Sequence, residues 1–286
     1  MNTLDVRPLP SIETVVDMRS RYLDQATAPL DGMWLYGFVP MSKHYGFYDR
    51  DSLCGYFCVN EQGRLLQFYV DDRQCIDPLS HFESVVTGDV IEEHITGAFV
   101  STAEPAYLSL CLDTFASFDV NALMYELDVS KSREKIESAI VLKEAVAGQL
   151  SQVVDFAASE IGAPKDWLGG YYENLISRGE LYVVRRDGEI IATGESRLSD
   201  AYESGYADVG VIVAKNERGQ GIATQVLRRL VEINESRDRQ SICSTEKGNR
   251  AAQRAISRAG FVSRHRIVEF SSPRSAPVSH PMSERL

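Results

Sequence analysis

The stretches VGVIV at residues 209–213 and RGQGIA at residues 218–223 decide the fold of this chain. The first is a short apolar run rich in β-branched residues, which predicts a buried strand. Residues 223–233 repeat apolar side chains at helical spacing, so a helix follows the second stretch. Gly219 and Gly221 permit a tight turn, and the first amides of a helix have no partner within that helix. A strand, a glycine-rich turn and a helix in this order predict a binding site for phosphate groups.

Strands and helices alternate around this motif in the second half of the chain. We predict strands at 136–143, 180–186, 189–196, 208–213, 240–245 and 262–270, and helices at 148–160, 166–177, 223–236 and 249–258. Asp187-Gly188 fits a tight hairpin turn, Asp166 is the expected N-cap of the helix at 166–177, and Gly179 is expected just past its end. The order predicts an α/β fold (an α+β mixed sheet), with a central, largely antiparallel sheet flanked by helices.

Two motifs within these elements resemble the GNAT superfamily of acyl-CoA-dependent N-acetyltransferases. The family signature at a strand-to-helix junction, Arg/Gln-x-x-Gly-x-Gly/Ala, is matched by Arg218, Gly221 and Ala223. A second family element, Asn-x-x-Ala followed by Gly-Phe, is matched by Asn249, Ala252 and Gly260-Phe261. The resemblance covers about residues 136–270 and implies that acetyl-CoA is the co-substrate.

The first half of the chain resembles a second, divergent copy of the same fold. We predict strands at 46–50, 53–60, 64–70, 95–102 and 121–128, and helical segments at 78–93 and 103–115. In each half a strand passes through Ser-Thr into a helix that ends near a Phe, at 100–115 and at 243–261. Residues 71–75 read Asp-Asp-Arg-Gln-Cys where the glycine-rich turn is expected, and two carboxylates repel phosphates. We therefore predict a degenerate GNAT-like domain at 1–130 that lacks the phosphate turn, an acetyl-CoA-binding GNAT domain at 131–272, and a loose tail at 273–286.

Composition favours a cytoplasmic enzyme without a membrane or nucleic-acid partner. The start of the chain lacks a signal-peptide pattern, no apolar run approaches membrane-spanning length, and the five cysteines are scattered. Cys54 and Cys58 share one face of a predicted strand without further ligands, so we expect packing and no metal site. Residues 1–130 hold 7 basic against 20 acidic residues, whereas 131–286 hold 23 against 21. The acidic half repels nucleic acid and either attracts a cationic substrate or only aids solubility.

The resemblance implies a set of cofactor contacts around two neighbouring strands that splay apart. Backbone groups of Val211 and Val213, flanking Ile212, are expected to hold the pantetheine arm. Asn249 is expected to contact this arm or an ordered water, and it also fits an N-cap. Arg218 either neutralises phosphate or is a solvated charge. The amides expected to hold the pyrophosphate are those of Gly219, Gln220, Gly221, Ile222, Ala223 and Thr224.

Acetyl transfer to an amine needs a base, an oxyanion donor and an acid. An ammonium group must lose a proton before it attacks, so a carboxylate is expected nearby, with Asp208 as first choice and Glu195 as second. A strand amide near Val211 is the expected oxyanion donor. Many family members place a Tyr four residues before the Gly-Phe pair, where this chain has Ile256. The acid is therefore left open between a water, an unaided thiolate and the side chains of Tyr206, Ser244 and Ser257.

The resemblance implies an N-acetyltransferase that moves an acetyl group from acetyl-CoA to a primary amine. The acceptor is an amine of a small molecule or of a protein, and cationic acceptors fit the acidic half. The alternatives are transfer of a longer acyl group and a non-catalytic acyl-CoA-binding sensor or partner-binding module. Acceptor identity and oligomeric state are not determined by the sequence.

Overall fold

The structure is a computed structural model that describes residues 4–71, 73, 77–88, 90–128, 130, 140–198 and 205–273. Half of the expected strand 136–143, parts of the expected first-half turn 71–75 and nearly all of the expected tail lie outside the described residues. No helix within the described part of the chain is both long and apolar enough to cross a membrane.

The described residues form twelve strands and seven α-helices, numbered in chain order. The strands are β1 (Asp5–Leu9), β2 (Lys43–Asp49), β3 (Ser52–Val59), β4 (Arg64–Val70), β5 (Gly97–Ser101), β6 (Phe115–Leu127), β7 (Lys143–Glu144), β8 (Leu181–Arg186), β9 (Glu189–Arg197), β10 (Tyr206–Val213), β11 (Gln240–Glu246) and β12 (Phe261–Pro273). The helices are α1 (Val16–Asp24), α2 (Pro78–Thr87), α3 (Pro105–Thr114), α4 (Leu150–Ile161), α5 (Lys165–Ser177), α6 (Ile222–Glu235) and α7 (Arg250–Arg258). Short 3₁₀ turns lie at Ile12–Val15, Ala147–Gln149 and Lys215–Glu217, and a π-helical turn lies at Trp34–Phe38.

The chain forms two units, each made of segments that are separate in sequence, and the expected boundary between residues 130 and 131 stays a prediction. The first unit comprises residues 1–27, 38–120 and 267–286, and the second comprises residues 28–37 and 121–266. Two of the crossings between the units lie within strands. One is in β6 and the other in β12, and each of these strands is 13 residues long.

The first unit has the strand order β1-β2-β3-β4-β5-β12, in which β4 and β5 are parallel and the other neighbours antiparallel. Its apolar core packs Phe82 of α2 and Tyr107 of α3 against aromatic residues of the strands. The parallel pair is in register at Arg64 with Gly97 and at Leu65 with Ala98, near the start of both strands. This strand–helix order repeats that of the second unit, as the sequence comparison of the halves predicts.

The second unit has the strand order β6-β11-β10-β9-β8-β7. Strands β10 and β11 are parallel, and their outer neighbours are antiparallel. One apolar cluster joins the sheet to α6 and α7, and it includes Val226 and Ile256. Another joins the sheet to α4 and α5, and it includes Val153 and Tyr172. The unit is therefore a sheet with helices on both faces, and the predicted mixed α/β class is confirmed.

Most predicted elements are present, with differences at their ends. Asp166 is not the N-cap of α5, because Pro164 holds the extended conformation before the helix and its carbonyl accepts from the amide of Leu168 at 3.0 Å. The helix expected at 78–93 ends at Thr87, where the extended Gly88 closes it. The strand expected at 121–128 begins at Phe115 as part of β6.

Candidate active site

Strands β10 and β11 separate part-way along their length, and this separation defines the site. Asp208 of β10 is in register with Ile242 of β11, and the described pairing between the two strands ends there. From Asp208 to Val213, β10 continues to pair with β9, while β11 pairs with β6 from Ile242 onward. The gap between β10 and β11 therefore opens through the sheet beyond Asp208, at the position expected for the pantetheine arm.

The backbone of β10 faces this gap at alternate residues. The amide of Ala214 donates to the carbonyl of Ile191 at 2.9 Å, so the amide of Ala214 points toward β9. Because backbone groups alternate in direction along a strand, the amides of Val211 and Val213 point away from β9 and toward the gap. That these two residues hold the pantetheine arm stays a prediction.

The glycine-rich turn leads into α6 with its amides exposed. Gly219 has φ of 83° and Gly221 has φ of 81°, both in the left-handed region that favours glycine. At this end of α6 the amide of Gln225 donates to the carbonyl of Gly221 at 3.2 Å. A Cβ at Gly219 or Gly221 meets no atom within 4 Å, so the space beside the turn is open. Unpaired amides at a helix start beside open space fit a pyrophosphate.

Arg218 holds the turn in place with its side chain. Its Nε donates to the carbonyl of Val213 at 3.0 Å, and its Nη2 lies 3.3 Å from a carboxylate oxygen of Glu160 on α4. The guanidinium thus links the turn to β10 and α4, a role that neither sequence-based interpretation of Arg218 describes.

Two other expected cofactor residues have structural partners. Asn249 caps α7, because its Oδ1 accepts from the amide of Ala252 at 3.1 Å. The hydroxyl of Thr224 donates to the carbonyl of Ala255 at 3.3 Å and so ties α6 to α7. Asn249 remains exposed, which leaves its amide group accessible to a ligand.

Strand alternation places a polar cluster on the other face of the sheet. Val211 and Val213 pack with the α6 cluster, whereas Ile212 packs with the α4–α5 cluster, so Asp208 shares the face of Ile212. We call this set the carboxylate cluster; its members are Asp31, Tyr171, Glu195, Arg197 and Asp208.

Arg197 is the centre of the carboxylate cluster. Its Nη2 lies 2.9 Å from Oδ1 of Asp208, and its Nη1 lies 2.6 Å from Oε2 of Glu195. Tyr171 donates to the same Oε2 of Glu195 at 2.6 Å. Asp208 is only 2% exposed, and its Oδ2 accepts from the amide of Gly32 at 2.6 Å. The two carboxylates expected as bases therefore lie together, and both share the one guanidinium.

Asp31 is a functional candidate that the sequence analysis missed. Its Oδ1 accepts from the amide of Trp34 at 2.8 Å, and its Oδ2 accepts from the hydroxyl of Ser244 on β11. Burial, followed by the nearby charge of Asp208, raises the pKa of Asp31 to about 6. The Asp31-Gly32 pair carries the local signal of a helix start, but its approach to β10 and β11 is a long-range contact that spacing does not reveal.

The structure shows where the candidates for the general acid lie. Ile256 is 5% exposed within the α6–α7 core, so its position supplies no acid. Ser257 is exposed on α7, Tyr206 is partly buried at the start of β10, and Ser244 is hydrogen-bonded to Asp31. Burial raises the pKa of Tyr171 well above its usual range, so this phenol stays protonated at neutral pH.

The first unit differs from the second at the corresponding turn. Asp71, directly after β4, is 1% exposed and lies 2.9 Å from Arg21 and 2.6 Å from Arg73. Hydrogen bonds from Arg73 are the largest cause that lowers the pKa of Asp71 to about 2. This carboxylate is thus ionised and paired with arginines rather than free to face a ligand.

Comparison with known proteins agrees with this geometry. The model of the acetyltransferase (GNAT) domain matches residues 11–128, and the model of the acetyltransferase (GNAT) family matches residues 152–261. A GNAT-family acetyltransferase from Colwellia psychrerythraea is 43% identical, with 93% of this chain and 99% of that chain covered and a TM-score of 0.88. The chain belongs to the GNAT acetyltransferase family. It is therefore an acyl-CoA-dependent N-acyltransferase with two GNAT domains in tandem, as the repeat predicts.

More distant solved structures share the fold of this GNAT protein. A GCN5-related N-acetyltransferase from Sphaerobacter thermophilus is 15% identical with a TM-score of 0.63, and 96% of each chain is covered. A tandem GNAT protein from the clavulanic acid biosynthesis pathway is 12% identical with a TM-score of 0.66, and 94% of this chain and 98% of that chain are covered. A search of curated protein sequences returned no match. Among the residues that the structure describes, no group of three or more His, Cys, Asp or Glu side chains is arranged to hold a metal ion.

Proposed function

We propose that this protein is an N-acetyltransferase that moves an acetyl group from acetyl-CoA to a primary amine of a small molecule or a protein. One observation carries the proposal: the gap beyond Asp208 opens between the α6 amides on one face and the carboxylate cluster on the other. A thioester held from the α6 face and an amine held from the opposite face can meet in this gap.

The α6 side supplies the groups that a coenzyme A molecule needs. In this proposal the amides at residues 219–224 hold the pyrophosphate, and the backbones of Val211 and Val213 hold the pantetheine arm. Asn249 keeps an exposed amide group near the start of α7 that can contact the same arm. The co-substrate supplies the activated acetyl group, and a β10 amide near Val211 is placed to stabilise the oxyanion that forms on its carbonyl.

The opposite side supplies the groups that an amine needs. The carboxylate cluster contains three carboxyl groups, on Asp31, Glu195 and Asp208, and the single guanidinium of Arg197. This excess of acidic groups favours a cationic acceptor, because an ammonium balances buried negative charge. We keep Asp208 and Glu195 in the proposal as carboxylates that hold the acceptor.

A second candidate function is acyl-CoA binding without turnover. The observation that favours it is the buried Ile256, which removes the phenol that many family members use as general acid. The two functions predict the same affinity for coenzyme A and differ only in product.

The test is to measure coenzyme A binding by calorimetry and free-thiol release from acetyl-CoA with a panel of amines. The panel contains a polyamine, an amino sugar, basic and neutral amino acids and a peptide with a free N-terminus. We expect binding, together with thiol release that requires an amine and gives a product heavier by one acetyl group in mass spectrometry. Coenzyme A binding without an acetylated product from any amine would favour the acyl-CoA-binding sensor. A faster reaction with a longer acyl-CoA than with acetyl-CoA would show that a longer acyl group is the one transferred.

A further inference from the structure

Asp31 and Ser244 form a hydrogen-bonded pair at the gap in the sheet. Ser244 lies two residues beyond Ile242, in the part of β11 that has left β10 and pairs with Met124 of β6. Its hydroxyl donates to Oδ2 of Asp31, and the other carboxylate oxygen of Asp31 accepts from the amide of Trp34. The pair therefore stands at the edge of the opening through which donor and acceptor meet.

Asp31 and Asp208 differ in the charge of their hydrogen-bond partners. Asp208 is held by the guanidinium of Arg197 at 2.9 Å and by the amide of Gly32 at 2.6 Å. The donors to Asp31 are a hydroxyl and an amide, which are both neutral. A carboxylate in contact with a cation gives up that attraction when it takes a proton, whereas a carboxylate held by neutral donors loses less. Of the two, Asp31 is the better proton acceptor.

We propose that Asp31 is the general base of this site and that Ser244 returns the proton to the leaving sulfur. The inference rests on the proposed function and adds two residues to it. Asp208, which is proposed to hold the acceptor, also holds Gly32 and thereby the backbone beside Asp31.

The proton and electron balance of the step is complete without a further reactant. The carboxylate of Asp31 takes one proton from the ammonium of the acceptor, and the amine lone pair forms the C–N bond at the thioester carbonyl. When the intermediate collapses, the C–S bond breaks and its electron pair stays on sulfur. Asp31 then donates its proton to the oxygen of Ser244, whose own hydroxyl proton passes to the thiolate. The nitrogen of the intermediate carries two protons; one leaves to solvent, the other stays on the product amide, and Asp31 is again a carboxylate.

The environment of Asp31 suits both halves of this cycle. Burial and the charge of Asp208 raise the pKa of Asp31 to about 6, so at neutral pH the group is mostly ionised but close to its midpoint. A group with a pKa near the working pH is an efficient acid and base. The titratable and charged groups that line the same pocket or belong to the carboxylate cluster are Tyr125, Glu126, Tyr171, Glu195, Arg197, Asp208, Cys243 and His265.

The test compares Asp31→Asn and Ser244→Ala with the wild-type chain across pH 5 to 9. We expect Asp31→Asn to lower kcat by about 10²-fold or more and to remove the fall in kcat/KM below about pH 6. Ser244→Ala is expected to lower kcat by about tenfold, because a water can replace part of a hydroxyl relay. Coenzyme A affinity should stay within about twofold in both variants, since neither residue touches the α6 amides.

Two control variants separate catalysis from structure. Ser241→Ala removes a buried serine of the same strand whose hydroxyl accepts from Asn234, and it should leave the pH profile unchanged. His265→Gln removes a histidine at the same pocket and should leave the fall in kcat/KM below about pH 6 in place. Thermal unfolding of every variant checks that it folds.

The possible failures are distinguishable. If the wild-type chain acetylates an amine, and Asp31→Asn keeps both the wild-type kcat and the fall in kcat/KM below about pH 6, the proposed role of Asp31 is wrong and the proposed function stands. If His265→Gln alone removes the fall in kcat/KM below about pH 6, His265 is the base and Asp31 only caps the turn at Trp34. If the wild-type chain binds coenzyme A and acetylates no amine, the proposed function fails and the roles of Asp31 and Ser244 fail with it.

Discussion

The amide of Gly32 donates a hydrogen bond of 2.6 Å to Oδ2 of Asp208, across 176 residues of sequence. The approach is so close that a Cβ built on Gly32 would lie 2.6 Å from the Cβ of Asp208. Only glycine fits at this position without a shift in one of the two segments. The contact therefore sets where Asp31, the residue before Gly32, lies relative to the gap beyond Asp208.

Gly32→Ala is expected to displace Asp208 from its contacts and to lower the rate of acyl transfer. The added methyl overlaps the side chain of a buried residue, so we expect a loss of about 1–3 kcal/mol in the free energy of unfolding. Displacement of Asp31 with its neighbour is expected to lower kcat by about tenfold or more, since small misplacements are amplified at reacting groups. Chemical denaturation and thiol-release kinetics measure the two effects.

Gly37→Ala is the matched control in the same segment. A Cβ at Gly37 meets the flexible end of Met33 at 3.2 Å as its nearest neighbour, so the side chain can move aside. We expect this variant to keep both stability and rate. An equal loss in the two variants would show that any alanine in this segment is harmful, and the specific contact with Asp208 would not be the cause.

Gly221→Leu is expected to abolish coenzyme A binding. Its φ of 81° strains any other residue by about 1–2 kcal/mol, and the new side chain enters the open space beside the α6 amides. Gly188→Leu is the control, because Gly188 has φ of 87° and equally open surroundings at the tip of the β8–β9 hairpin. Both variants should lose similar stability by denaturation, and calorimetry should show lost binding at Gly221 alone. If Gly221→Leu still binds coenzyme A, the pyrophosphate does not bind at this turn.

Asn249→Asp separates the capping role of this residue from a contact with coenzyme A. An aspartate accepts from the amide of Ala252 as the asparagine does, so the stability of α7 should be retained, whereas Asn249→Ala should lose about 1 kcal/mol. The aspartate lacks the NH₂ donor and adds negative charge, so we expect coenzyme A affinity to fall by about tenfold in both variants. Asp77→Ala removes the cap of α2, where Oδ1 accepts from the amide of Ser80, and should lower stability without affecting affinity. If Asn249→Asp keeps the wild-type affinity for coenzyme A, Asn249 serves only as the N-cap of α7.

Local patterns in the sequence predicted the elements and the phosphate turn well. The Asp187-Gly188 hairpin has positive φ at both residues, and Gly219 and Gly221 adopt the left-handed conformation that their turn requires. Each of these features depends on a few neighbouring residues, which is why composition and spacing predict them.

Long-range contacts were not predictable in the same way. Arg197 joins Glu195 and Asp208 because antiparallel register places Arg197 opposite Asp208, and this register becomes visible only when the strands are paired. The segment at 28–37 belongs to the second unit although it precedes most of the first in sequence. Asp31 was missed for this reason, since nothing near it in sequence indicates a neighbour at residue 244.

Asp71→Asn is expected to change how the free energy of unfolding depends on pH. The pKa of Asp71 is lowered to about 2, mainly by hydrogen bonds from Arg73, whereas an aspartate in the unfolded chain titrates near 3.9. The folded state therefore gains stability from this group above about pH 4, and that gain is lost as pH falls from about 4 toward 2. Unfolding by urea at pH 2 to 7 should show a difference between the wild-type chain and Asp71→Asn that is full at pH 5 and above and shrinks toward pH 2. Asp51→Asn is the control, because the side chain of Asp51 is fully exposed and 3.7 Å from Arg7. A difference for Asp71→Asn that stayed constant down to pH 2 would mean that the ion pairs of Asp71 do not contribute to stability.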